Sequence, residues 1–116
     1  MCGIVCAFEI NQSSKNLRPQ MLEMSKRIRH RGPDWSGIYV SKRAILSHER
    51  LAIVDPISGK QPLYSENRSI VLAVNGEIYN HLNLRDQFQH TYNFKTDSDC
   101  EVLIPMYQKY GPNFVK

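Results

Sequence analysis

Short unbroken apolar runs alternate along this chain with stretches in which apolar residues recur every three or four positions. Ile4, Val5, Cys6, Ala7 and Phe8 make one such run within residues 3–10. The run lacks helical length, so it predicts a buried strand. After a polar loop at residues 11–14, Leu17, Met21, Met24 and Ile28 recur at helical spacing, with Pro19 suited to a first helical turn. This helix is expected to end before Gly32-Pro33, because a residue preceding proline is pushed out of the α region.

Residues 36–40 and 44–48 read as two strands joined by the tight polar turn Ser41-Lys42-Arg43. Leu51, Ile53 and Val54 prolong an extended apolar stretch until Asp55-Pro56 and Ser58-Gly59 break it. A second hairpin is expected from residues 63–64 and 70–74 around Glu66-Asn67-Arg68, and its second strand runs straight into Asn75-Gly76-Glu77. Leu82, Arg85 and Phe88 suit an amphipathic helix over 78–89, and residues 92–95 a short strand. Ser98-Asp99-Cys100-Glu101 is a capping box opening a helix whose apolar face is Val102, Leu103, Met106, Tyr107 and Tyr110, with Gly111-Pro112 as its stop. Pro105 falls inside that helix, costs on the order of 3 kcal/mol in an unsupported helix, and predicts a kink.

Composition narrows the class. At 116 residues, 41% hydrophobic and 22% charged, the chain has the make-up of one ordinary globular domain or part of one. Its formal net charge of +4 is concentrated at Lys26-Arg27-Ile28-Arg29-His30-Arg31. A nucleic-acid surface is one reading of that run, and a solvated helix end, where cations suit the macrodipole, is the stronger one. The three cysteines, Cys2, Cys6 and Cys100, make neither an even set nor a Cys-x-x-Cys pair. The four histidines lack metal-ligand spacing, so they read as structural or surface residues and no metal site is expected. With no signal-like start or membrane span, a reducing, cytoplasmic setting fits best.

The first residues carry the sharpest chemistry. Removal of Met1, which a small second residue permits, would leave Cys2 with a thiol and a free α-amine. These are a nucleophile and a base on one residue, since an ordinary α-amine is partly unprotonated near neutrality. Asn75-Gly76 between apolar strands reads either as a type I′ hairpin turn or as an oxyanion hole, in which a side-chain amide sits beside an exposed backbone N–H. Arg50, Glu77 and Asp99 at element ends are the charges that would hold a zwitterionic amino acid, or are ordinary surface charges.

In order along the chain, Met1-Cys2-Gly3-Ile4, Arg29-His30-Arg31-Gly32-Pro33-Asp34, His48-Glu49-Arg50-Leu51-Ala52-Ile53-Val54-Asp55, Asn75-Gly76-Glu77-Ile78-Tyr79-Asn80 and Ser98-Asp99-Cys100-Glu101 resemble the motifs of class II glutamine amidotransferase domains. Within that family the chain is similar to the N-terminal glutaminase domain of glutamine-hydrolysing asparagine synthetases. The resemblance implies an α+β fold of the N-terminal nucleophile hydrolase type, an αββα sandwich of two mostly antiparallel sheets. It makes Cys2 the nucleophile on the carboxamide of L-glutamine, and Asn75 with the Gly76 N–H the oxyanion donors. Arg50 would bind the α-carboxylate, Glu77 and Asp99 the α-ammonium, and main-chain groups of Ile53 and Val54 would complete the pocket.

The resemblance further implies a γ-glutamyl thioester on Cys2, and ammonia passing to a C-terminal synthetase domain that uses ATP and Mg²⁺ to make asparagine from aspartate. The glutaminase reaction itself calls for no cofactor. Neither a nucleic acid nor a membrane is an expected partner, and an oligomer is left open. That synthetase domain's Ser-Gly-Gly loop is absent, and the family's glutaminase domain continues with further strands. Residues 1–116 are therefore expected to be the N-terminal part of a C-terminally truncated domain. The alternative is an inactive fragment or a non-catalytic amidotransferase-like scaffold, against which the retention of Cys2, Arg50, Asn75, Gly76 and Asp99 speaks.

Overall fold

A computed structural model describes residues 1–115. Its strands are β1 (Gly3–Phe8), β2 (Trp35–Val40), β3 (Ala44–Arg50), β4 (Leu63–Tyr64) and β5 (Val71–Leu72). Its α-helices are α1 (Ser14–Arg27), α2 (His81–Phe88) and α3 (Leu103–Tyr110), and 3₁₀ turns occupy Arg29–Arg31, Asp99–Val102 and Gly111–Val115. Two antiparallel sheets form, one of order β1-β3-β2 and one of β4 with β5. The class is α+β, as expected.

The period of two along β3 organises the layers. Ile45, Ser47 and Glu49 face α1, where Ser25 donates to Glu49 Oε1 at 2.5 Å and bonds the Ser47 hydroxyl at 2.6 Å. Ser36, opposite Glu49 on β2, donates to its other oxygen at 2.5 Å. Leu46, His48 and Arg50 point the other way, toward the second sheet. On that side Tyr39 meets Tyr64 edge to face, 6.2 Å between ring centres. Leu63 in turn clusters with Cys100 and Ile104, with Ile70, Leu72, Val74 and Tyr92 packed around them. Helix, sheet, sheet and helix thus follow one another.

Several local expectations change. β1 is an edge strand with only β3 beside it, and Gly3 is buried but Cys6 and Phe8 are exposed. The α1 helix starts at Ser14, so Pro19 sits in its second turn. On its buried stripe Ser25 takes the place expected of Met24, which is 51% exposed. Residues 51–54 form loop and not strand, and so do residues 92–95. There the N–H groups of Lys95 and Thr96 go to the buried carboxylate of Glu101, both at 2.8 Å. Glu101 therefore does not close the reciprocal half of a capping box; Ser98 alone caps, accepting from the Cys100 N–H at 3.3 Å. Pro105 produces no kink in a continuous helix. A 3₁₀ turn comes first and α3 begins at Leu103, so the proline falls in the first turn, where its missing N–H has no intrahelical partner to lose.

Candidate active site

Cys2 precedes β1 and is half-buried. The ladder that pairs Gly3 with Glu49 brings it beside the end of β3. Leu51 donates its N–H to Cys2 Sγ at 3.3 Å, and the Leu51 carbonyl lies 3.6 Å from the same sulfur. Two residues of the basic motif hold this corner together. Arg31 Nε donates to the Cys2 carbonyl at 3.2 Å, and Asp34 Oδ2 accepts from the Ala52 N–H at 2.9 Å.

Arg50 ends the central strand and is 4% exposed. Its Nη2 donates to the carbonyls of Val54 and Asp55 at 2.9 and 2.6 Å, which curls the 51–55 loop around the guanidinium. Gly59 packs against the same nitrogen so closely that a Cβ there would lie 2.6 Å from it. Among the described residues no carboxylate pairs with Arg50. A buried guanidinium without an anion is unfavourable, so this one is a ready receptor for a carboxylate.

Asn75 and Gly76 leave β5 on the opposite side. Neither has positive φ, so they are not the type I′ turn that an Asn-Gly pair invites. Asn75, Gly76 and Glu77 are exposed, and the Asn75 side chain makes no hydrogen bond among the described residues. Asp99 is buried and its Oδ2 accepts from the Ile78 N–H at 2.7 Å, tying the 75–78 segment to the start of the 99–102 turn.

One cleft of about 420 Å³ joins these pieces. Cys2, Arg50, Ile53, Val54, Asn75, Gly76, Glu77 and Asp99 all line it, so every residue singled out from the sequence comes to the same place. Met1, Leu51, Gln61, Tyr79, Ser98 and Cys100 line it too, and sequence reasoning missed them as site residues. The cleft also holds a second thiol, that of Cys100. Burial, reinforced by the charge of Asp99, pushes the Cys100 thiol up to about 12. It stays protonated and donates toward the Gly76 carbonyl at 3.7 Å. His48, read as structural or surface, is fully buried, and desolvation holds its imidazole below the usual range and neutral.

Comparison with known proteins identifies the family. The family model described as a glutamine amidotransferase domain matches residues 1–116. Over 115 residues the chain is 55% identical to asparagine synthetase B (glutamine-hydrolyzing) of Escherichia coli strain K12, covering 99% of this chain and 21% of that protein. It is 50% identical to asparagine synthetase (glutamine-hydrolyzing) 1 of Arabidopsis thaliana and 49% to the Zea mays asparagine synthetase (glutamine-hydrolyzing). Each of those matches covers 99% of this chain and 20% of the relative. The chain thus spans about a fifth of the length of these relatives.

Proposed function

The chain belongs to the glutamine amidotransferase domain family, and on that premise we propose that its cleft hydrolyses L-glutamine to glutamate and ammonia through a thioester on Cys2. The observation that carries the reading is the pairing, in one cleft, of a half-buried thiol with a buried guanidinium that meets no carboxylate among the described residues. Arg50 takes the substrate α-carboxylate, Glu77 and Asp99 its α-ammonium, and the main chain at Ile53 and Val54 completes the grip. The carboxamide then lies at Cys2, with the Asn75 amide and the Gly76 N–H facing the oxygen that becomes negative.

The base is the α-amine of Cys2. Met1, 73% exposed at the cleft, occupies that nitrogen in a peptide bond, so its removal precedes activity. The freed amine takes the thiol proton, and the thiolate sulfur attacks the carboxamide carbon to form a tetrahedral oxyanion. The ammonium so formed returns its proton to the leaving nitrogen as the carbon–nitrogen bond breaks. Ammonia departs and the γ-glutamyl thioester remains. Water, deprotonated by the same amine, then attacks the thioester, and glutamate leaves as Cys2 regains its proton.

The ammonia serves amide formation in a C-terminal synthetase domain of a longer parent, which makes asparagine from aspartate with ATP and Mg²⁺. Among the described residues no three His, Cys, Asp or Glu side chains are grouped to hold a metal ion. Glutamate release, followed alongside intact mass, tests the reading. Chains that have lost Met1 should turn over glutamine, and Cys2→Ala should reduce release to background. Equal activity in chains that keep Met1, or in Cys2→Ala, would overturn it.

A further inference from the structure

Asn75 and Gly76 stand beyond the last ladder pair of β5, where among the described residues no strand lies alongside to hold the main chain. Extending the β4–β5 register by two residues puts Gln61 opposite Val74. There a side chain replaces the missing ladder. Gln61 Oε1 accepts the Val74 N–H at 2.6 Å, and His48 Nε2 lies 2.8 Å from the Val74 carbonyl. Since a carbonyl only accepts, Nε2 carries the hydrogen and donates. That carbonyl shares a peptide plane with the Asn75 N–H, so fixing its direction fixes the entry to Asn75-Gly76.

Both side chains are themselves held. Gln61 is 6% exposed and His48 is fully buried. In the β2–β3 ladder His48 faces Gly37, and a Cβ on Gly37 would lie 2.0 Å from the Gln61 carbonyl oxygen. Only a bare backbone at that point lets the Gln61 segment settle onto the central sheet beside His48. The other imidazole nitrogen, Nδ1, is buried with no partner. Desolvating it is unfavourable, and an apolar side chain filling the same space would avoid that penalty. The polar contact to Val74 is what a histidine adds there.

We infer that His48 and Gln61 form a two-sided clamp on Val74 that positions Asn75 and Gly76 as oxyanion donors. They are positioning residues, because the polar atoms that act here engage Val74 and leave the reacting atoms to Cys2, Asn75 and Gly76. The catalytic consequence rests on the glutaminase reading above; the positioning itself does not.

His48→Met and Gln61→Met keep most of the volume and remove the hydrogen bond, whereas His48→Gln keeps a donor near the Nε2 position. In the chain with Met1 removed, both Met variants should lower kcat for glutamine hydrolysis about ten- to a hundredfold. KM should stay within about twofold of wild type, since the Arg50 pocket is untouched, and His48→Gln should regain most of kcat. An unchanged kcat, or KM rising in step with its loss, would overturn the clamp. Amide hydrogen exchange by NMR gives a readout independent of turnover. The Val74 amide should exchange at least about tenfold faster in the Met variants, with Ile45 in β3 unaffected. Unchanged exchange at Val74 refutes the clamp, even if the wild-type chain releases no glutamate. Absent glutamate release alongside faster exchange would count against the glutaminase reading and leave the clamp supported.

Discussion

On one side of the cleft Arg50 closes a seven-residue central strand, 4% exposed, with two carbonyls of its own loop on Nη2 and Gly59 packed against it. On the other, Asn75, Gly76 and Glu77 are exposed and follow a ladder of only two residue pairs. The wall that would recognise an amino acid is thus part of the sheet. The wall that would stabilise an oxyanion hangs from side chains. A buried wall can present a charge without first ordering it, and an exposed wall leaves its amide and N–H free for a group that develops charge later. The two walls should therefore fail in different ways, one through KM and the other through kcat.

The largest effect is expected on the exposed wall. Asn75→Ala should lower kcat about 10²–10³-fold with KM nearly unchanged, as steady-state glutamate release would record. A parallel rise in KM would mean that Asn75 also binds the ground state. Next comes Arg50→Lys, which replaces a fork with a point charge and cannot reach both loop carbonyls and a substrate carboxylate. KM should rise about ten- to a hundredfold, the worth of one charge-assisted hydrogen bond, with a smaller change in kcat. Gly59→Ala probes the same wall more gently. Its methyl would press on Arg50 Nη2, and KM should rise by up to about tenfold at similar kcat.

The smallest effect is one of pH. Burial holds folded His48 below its ordinary value of 6.5. As pH falls from about 6.5 toward the folded value, the unfolded chain takes up a proton that the folded chain resists. His48 therefore contributes its full stability above pH 6.5 and loses it progressively below. Urea midpoints measured from pH 8 to pH 5 should fall on the acid side, and His48→Gln should flatten the decline.

What the sequence conveyed about this cleft follows from how local each signal is. Cys2, Arg50, Asn75, Gly76, Glu77 and Asp99 lie at element ends inside short distinctive motifs, and all six meet in the cleft. Gln61 and Leu51 act through contacts across 13 and 49 residues, to Val74 and Cys2, and such contacts leave no period or motif to read. Cys100 looked like an unpaired thiol because its partner is a main-chain carbonyl 24 residues away. The two hairpins and three helices follow from periodicity and turn signals, and the two-sheet arrangement from the resemblance, whereas β1's exposure follows from neither. An apolar run indicates an extended strand but not which strands flank it, and the order β1-β3-β2 leaves Phe8 63% exposed. Tyr92 and Phe94 have the alternation of a strand, yet their ring-to-ring contact and the pull of Glu101 on the next two amides make a loop of it.

The pairing of Gly3 with Glu49 carries one more consequence. Continued by one residue, it sets Cys2 opposite Arg50, so thiol and guanidinium belong to adjacent positions of one ladder. Strand spacing is fixed by backbone hydrogen bonds and does not adapt to its ligand. In the proposed reaction the sheet would therefore work as a ruler, with the carboxylate end of an amino acid at one mark and the carbon to be attacked at the other. On that proposal, a side chain one methylene shorter should engage Arg50 and leave its carboxamide short of the sulfur.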